Sequence, residues 1–181
     1  MMATPSARTT HPPATCARPE AALARLLDEL AAVLNRTSPS TYTARPFPAV
    51  SGSIGQHVRH ILDHVASLCE AEPRVPLSYD HRERGTNVET DVDAALRSIR
   101  RLTSTLAAMR SGEDEAMTMM SMLVPGGEPS AVRTTLRREL IFVVSHTIHH
   151  QALIGLLLSA AGDGVPQGFG LAPSTPSLAR A

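Results

Sequence analysis

Aliphatic residues recur at the spacing of one helix face in four stretches of the chain, and segments rich in Pro and Gly separate these stretches. Apolar residues three and four positions apart fall on one side of an α-helix, so each stretch favours a helix that buries one face. The pattern predicts an all-α protein in which four helices form a bundle. The helices are expected over about 19–36, from an N-cap at Ser53 to before Pro73, from a capping box formed by Thr86 and Glu89 to Gly112, and over about 131–161.

Composition favours helices over a β-sandwich. Hydrophobic residues make up 43% of the 181 residues, whereas aromatic residues make up 3%. The core must therefore be aliphatic, while strands prefer aromatic and β-branched residues. One domain with tails fits this length, and we expect a disordered tail at 1–18, the bundle at 19–165 and an irregular C-terminal tail at 166–181. The Met-rich part of 113–130 fits either a short strand or further packing against the bundle.

Charge and cysteine content limit the partners and the location. Basic and acidic residues balance at 17 each, so no bulk charge attracts nucleic acid or an anionic membrane. Two cysteines do not make a disulfide framework, and the sequence has neither a signal-peptide core nor an 18-residue apolar run. We therefore expect a cytoplasmic protein without a transmembrane helix. All basic residues are Arg, which is typical of GC-rich coding and hints at a bacterial source.

Six of the eight histidines lie in two short windows, GQHVRHILDH and SHTIHH. His146 and His150 are four residues apart, which places both imidazoles on one face of the fourth helix. Two ring nitrogens can then meet one divalent metal ion, as they do in zinc-binding HExxH helices. His149 points to another face. An isolated pair of this kind often serves packing alone, but buried histidines need partners, and the second helix offers three more.

The second helix can contribute His57, His60 or His64 to such a site. Helical periodicity puts the apolar centre of this helix near Ile61 and Val65, and His57 and His64 lie closer to it than His60. Periodicity alone would choose one of those two. It does not decide, because metal sites often lie at the end of a bundle.

Three further residues are candidates for roles around a metal. Tyr79 and Arg82, in the segment YDHRERG, could line the mouth of the site and bind an acidic substrate; a solvated loop with local ion pairs is the alternative. Glu139 lies seven residues before His146, on the same helix face. Its carboxylate could orient a metal ligand or act as a base. A half-exposed carboxylate that pairs with Arg is the alternative.

At these residues the sequence resembles the DinB-like family of metal-binding four-helix bundles. Residues 53–61, S-I-G-Q-H-V-R-H-I, look like that family's Ser-apolar-x-Glu-x-x-x-His-apolar signature, and residues 145–151, SHTIHHQ, look like its His-x-x-x-His motif. The resemblance covers about 19–165 and implies a bundle of the DinB-like type. Gln56 stands in place of the usual acidic residue, and Gln151 stands in place of the usual Arg.

The resemblance also implies a ligand set and a function. The ligands would be His60, His146 and His150, with His57 as the second choice on the second helix. One divalent metal is expected, zinc first, with nickel or iron as alternatives. Relatives of this fold include S-transferases that use low-molecular-weight thiols such as bacillithiol or mycothiol. A small-molecule substrate and a homodimer are therefore expected.

Other functions fit the same residues. One is a non-catalytic, stress-linked bundle in which the metal joins two helices. Another is an iron-dependent thiol and oxygen enzyme, since the N-terminal domain of ergothioneine sulfoxide synthases resembles this fold and supplies three such histidines. A third is an interaction module with an apolar groove and no metal.

Overall fold

The computed structural model describes residues 18–47, 52–72, 74–80, 84–109 and 116–175. These residues form five α-helices, one short 3-10 helix and three strands. The helices are α1 (Pro19–Leu34), α2 (Pro39–Thr43), α3 (Ile54–Cys69), α4 (Val92–Ala108) and α5 (Leu136–Ala160), with a 3-10 helix at Asn87–Glu89. The strands are β1 (Leu77–Ser78), β2 (Ala116–Ser121) and β3 (Ser130–Thr135).

The four long helices share one aliphatic core. Both α1 and α3 pack against α4 and α5. Each long helix contributes fully buried aliphatic side chains, so the residues that gave the helical pattern are those that leave water. Members of this core include Leu23, Leu27, Leu30, Val58, Ile61, Val65, Ile99, Leu102, Leu140, Val143 and Ile154.

A small sheet makes the prediction of an all-α protein wrong. Strand β2 lies between β1, to which it is parallel, and β3, to which it is antiparallel. The Met-rich segment forms β2, one of the two outcomes that the sequence allowed. Residues 131–135, predicted as the start of the last helix, belong to β3 instead; the sequence of this strand, SAVRTT, is rich in β-branched residues, which fit a pleated strand. The fold is mostly helical with a three-stranded sheet.

Helix α3 begins where the sequence predicted. The side chain of Ser53 accepts a hydrogen bond from the backbone N–H of Gln56, and the side chain of Gln56 accepts one from the backbone N–H of Ser53. This reciprocal pair is a capping box, which satisfies two N–H groups that the first helical turn leaves unpaired. Gln56, a departure from the family pattern, therefore has a structural role here.

The start of α4 differs from the prediction. Thr86 and Glu89 do not form a capping box, because the carboxylate of Glu89 lies 2.7 Å from Nε of Arg59 on α3. Asp91 is the N-cap instead. Gly55 lets the two segments approach, since a Cβ atom there would lie 2.0 Å from the carbonyl oxygen of Glu89. The expected end of this helix, Gly112, lies outside the described residues.

The segment after α5 packs back onto that helix. Phe169 is only 8% exposed and belongs to the core. Gly170 has a φ of +73°, and a Cβ atom on it would lie 2.5 Å from the backbone nitrogen of Ala152 in α5. The described part of the predicted irregular tail, 166–175, consists of turns and of residues without regular secondary structure. Close backbone contact thus fixes this segment against α5.

Helix α5 is long and apolar enough, by length and composition, to cross a membrane. The central helix of a protein core passes the same test. Here α5 packs against both α1 and α3 and carries several of the polar side chains described below.

We expect Gly170→Ala to lower the free energy of unfolding by about 1–3 kcal/mol, because the added methyl group meets the backbone of α5 and the positive φ disfavours a side chain. Gly164→Ala is the matched control, since nothing lies within 4 Å of its Cβ position. Urea denaturation of both variants measures the difference. Equal losses of unfolding free energy in the two variants would show that the segment does not contact the backbone of α5 at position 170.

Candidate metal centre

Helices α3 and α5 bring three predicted ligands together. His60, His146 and His150 each offer a ring nitrogen, and these nitrogens all lie within 4.8 Å of one another. Nε2 of His60 lies 2.8 Å from Nε2 of His146. Two zinc–nitrogen bonds at a tetrahedral angle would separate their nitrogens by about 3.3 Å. The three imidazoles therefore lie close enough to hold a metal ion with small shifts of the rings.

The spacing on the helices explains this convergence. His146 and His150 lie one turn apart on the face of α5 that packs against α3, and their ring centroids are 4.6 Å apart. The ring of His60 lies 4.4 Å from that of His150. All three side chains are half-buried. The spacing of the histidines on the two helices therefore brings the three half-buried rings together.

His57 flanks the group from the more buried end. It is 8% exposed, and its Nδ1 lies 3.0 Å from Nδ1 of His150, so one of the two rings donates to the other. Burial lowers the pKa of His57, and the nearby His149 lowers it further. Burial and then the neighbouring histidines lower the pKa of His150 to about 3. His150 is therefore neutral near pH 7 and keeps a lone pair for a metal.

His64 flanks the group on another side. It is 5% exposed, and its Nδ1–H donates to the carbonyl oxygen of His60 at 2.9 Å. Periodicity was right that His57 and His64 lie nearer the core than His60. Among the described residues, however, the group of donors that could share one metal takes the half-buried His60 from α3. The most buried histidines are thus the neighbours of the group rather than its members.

Glu139 is fully buried at the start of α5, so the alternative of a half-exposed carboxylate is wrong about its exposure. It does pair with Arg, since Nη1 of Arg138 lies 2.8 Å from its Oε1. Thr134 donates to the same oxygen at 2.6 Å, and the hydroxyl of Tyr79 donates to Oε2 at 3.1 Å. Three donors compensate the desolvation of this carboxylate.

Tyr79 connects this carboxylate to the histidines. Burial raises the pKa of its hydroxyl, and the charge of Glu139 raises it further, so the hydroxyl stays protonated and donates. Its ring stacks on His64 with centroids 4.8 Å apart. The hydroxyl of Tyr79 is thus occupied by Glu139, and the ring is the part of this side chain that contacts the histidines. Arg82, the other predicted substrate-binding residue, lies outside the described residues.

The sequence analysis did not predict that Phe142 of α5 would contact the histidines. Phe142 stacks on His146, with centroids 5.6 Å apart and ring planes 20° from parallel. The guanidinium of Arg138 lies over the same ring, 5.4 Å from its centroid. The spacing was the available signal, because Phe142 and His146 are four residues apart on one helix face.

Fold and geometry define a class: a mostly helical protein in which two long helices present three histidines that could hold a metal ion. Residues 22–154 match the DinB superfamily, and the chain belongs to this family, which confirms the resemblance read from the histidine motifs.

One curated relative is FK506-binding protein 5 of Rhizopus delemar, which is 31% identical over 101 residues. The match covers 55% of this chain but 26% of that protein, so the chain spans about a quarter of the relative's length. No solved structure matches the chain.

We expect Tyr79→Phe to cost about 1.5–3 kcal/mol of unfolding free energy, because the buried Glu139 carboxylate loses a donor. The same change in a Glu139→Gln background should cost clearly less, since a neutral amide needs that donor less. Chemical denaturation of the two single variants and the double variant gives the coupling energy. An equal cost in both backgrounds would contradict the hydrogen bond.

Proposed function

We propose that the protein binds one divalent metal ion through His60, His146 and His150. The observation that carries this proposal is the convergence of three imidazoles from two helices. Imidazole nitrogen suits zinc first, and nickel or iron next. We further propose that the four long helices form the four-helix bundle of the DinB-like type, since each packs against two others around one core.

His57 would act on this site through His150. If His150 presents Nε2 to a metal, its Nδ1–H is the donor and Nδ1 of His57 accepts, at the observed 3.0 Å. Such partners of metal-bound histidines fix the tautomer and the ring orientation. His57 is thus a positioning residue in this proposal, rather than the alternative ligand of α3.

We expect the purified chain to bind close to one equivalent of Zn²⁺, and the variants His60→Ala, His146→Ala and His150→Ala each to lose tight binding. His57→Phe should weaken binding by about 10–100-fold, the usual effect of removing a partner of a ligating histidine. Isothermal titration and metal analysis measure both effects.

His149→Ala is the matched control for these variants. His149 lies on the same helix, is exposed and is not one of the three grouped histidines. Its loss should leave the stoichiometry unchanged. Binding that survives in all three ligand variants, or that is lost equally in His149→Ala, would refute the site.

We propose that the metal site is catalytic and that the protein is a metal-dependent enzyme such as a low-molecular-weight-thiol S-transferase. Three imidazoles leave one position of a tetrahedral metal open, as in catalytic sites. A bound metal would supply Lewis acidity, which lowers the pKa of a water or thiol that reaches the open position. The stacked rings of Tyr79 and His64 lie on one side of the three histidines, and Phe142 lies on another. In this proposal these rings form the walls of a pocket for a small substrate.

A transfer assay tests the reaction separately from metal binding. Metal-loaded protein is mixed with mycothiol or bacillithiol and an electrophile such as monochlorobimane, and the thioether is measured. We expect a rate that depends on the metal and disappears in His146→Ala. Metal-loaded protein that gives the same rate as His146→Ala would contradict transfer while leaving the metal site intact.

The second candidate is a non-catalytic bundle in which the metal joins α3 to α5. It is favoured by the positions of His60 and His146 on different helices, because one ion would then link two core elements. In that case metal raises the melting temperature without turnover. Iron-loaded protein that consumes oxygen with a thiol would instead point to the iron-dependent alternative.

We also propose a small-molecule partner, a cytoplasmic location and a homodimer. Leu123 and Val124, between β2 and β3, are 72% and 62% exposed and would supply apolar contact area to a second copy. Light scattering in solution reports the mass of the assembly.

A further inference from the structure

A groove of about 630 Å³ lies between α1, α5 and the segment that follows α5. On α5 it is lined by Val144, Ile148 and Gln151, which helix geometry places on the side opposite to His146 and His150. The groove is therefore separate from the candidate metal centre. Its volume falls within the range of about 300–1,000 Å³ that small-molecule sites occupy.

The wall formed by the C-terminal segment has a fixed position. Phe169 is buried against α5, and Gly170 touches the backbone of Ala152. The groove is thus held open by packed elements and is not a gap under a loose loop.

A buried amide lies at the floor of the groove. Gln151 is 0% exposed, and its Nε2 donates to the carbonyl oxygen of Leu26 at 2.9 Å. Its Oε1 is buried and has no hydrogen-bond partner among the described residues. An unpaired buried acceptor is costly, which favours a ligand that brings an N–H or O–H donor to this oxygen.

The α1 wall of the groove carries an excess positive charge. Arg25 pairs with Glu29 at 3.1 Å. Arg36 donates its Nε to the carbonyl oxygen of Ala32 at 3.2 Å, and no described carboxylate pairs with it. The two arginines and one glutamate leave a net charge of +1, which favours an anionic group near Arg36.

The two polar groups of the groove, the amide of Gln151 and the guanidinium of Arg36, lie far apart along α1. Leu26, which binds the Gln151 amide, and Arg36 are ten residues apart, a rise of about 15 Å. Arg36 reaches back along the helix toward Ala32, which shortens this span. The ligand must therefore bridge on the order of 10 Å between its donor and its anion. Leu26, Ile148 and Phe169 give the intervening surface an apolar character.

We propose that this groove binds a medium-chain organic acid that carries a hydroxyl or amide donor at the far end from its carboxylate. The donor binds Oε1 of Gln151, the carboxylate binds Arg36, and the alkyl chain lies along the apolar wall. The proposal does not depend on the metal site or on the reaction proposed above.

Isothermal titration of the full chain with 10-hydroxydecanoic acid tests the proposal. We expect one saturable site per chain. Decanoic acid, which lacks the donor, and the methyl ester of the hydroxy acid, which lacks the charge, should each bind at least tenfold more weakly. Both comparisons keep the alkyl chain and change one polar end.

Two variants assign the polar ends to residues. In Gln151→Leu the hydroxy acid and decanoic acid should bind equally, and in Arg36→Gln the hydroxy acid and its ester should bind equally. Arg97→Gln, which changes an exposed arginine of α4, is the matched control and should behave as the wild type. Arg36 is exposed, so its variant keeps the test valid if Gln151→Leu does not fold. Non-saturable binding, or equal binding of all three ligands to the wild type, would overturn the proposal.

Discussion

The packing of α3 against α5 through imidazole rings is the constraint on which the rest of the site depends. Between two core helices, aliphatic side chains would be the simplest filling, and buried polar rings have to be satisfied. Several ring nitrogens meet this condition by contacting one another: Nε2 of His60 lies against Nε2 of His146, and Nδ1 of His57 lies against Nδ1 of His150. Nε2 of His57 is buried without a partner among the described residues. The close spacing of ring nitrogens that could share a metal is thus also the way in which this interface pairs part of its polar groups.

The small sheet supports the interface between α3 and α5 through contacts at the ends of its strands. Strand β1 ends immediately before Tyr79, and β3 ends where α5 begins, with Thr135 as its N-cap. Thr134, at the end of β3, donates to Glu139 in the first turn of α5, and Glu139 in turn holds the hydroxyl of Tyr79. The sheet therefore fixes the ring that covers His64, and a purely helical connection would not supply this contact.

The features of the fold and site that could be predicted from the sequence are those that depend on neighbouring residues in the chain. The four long helices and the pair His146 and His150 follow from periods of three and four residues, and the N-cap at Ser53 follows from the preference of serine for that position. The predicted capping box at Thr86 was wrong because the carboxylate of Glu89 pairs with Arg59 on α3. Local spacing gives no information about a partner that is distant in the chain. Strand β3 was missed because its pairing with β2 lies outside any single window. His60 came from resemblance, since periodicity favoured its more buried neighbours.

The composition of α5 explains why its polar residues are informative. This helix contacts α1 and α3 and also the segment that contains Phe169, so several of its faces are apolar and periodicity marks no single inner face. Each buried polar side chain on such a helix has to be compensated by a specific partner. Glu139 has three donors and His150 has His57, whereas Oε1 of Gln151 has no partner among the described residues. Oγ1 of Thr147 on the same helix is also buried without a partner among the described residues, but Thr147 does not line the groove, whereas Gln151 does. Helix geometry places this groove and the three histidines on opposite faces of α5.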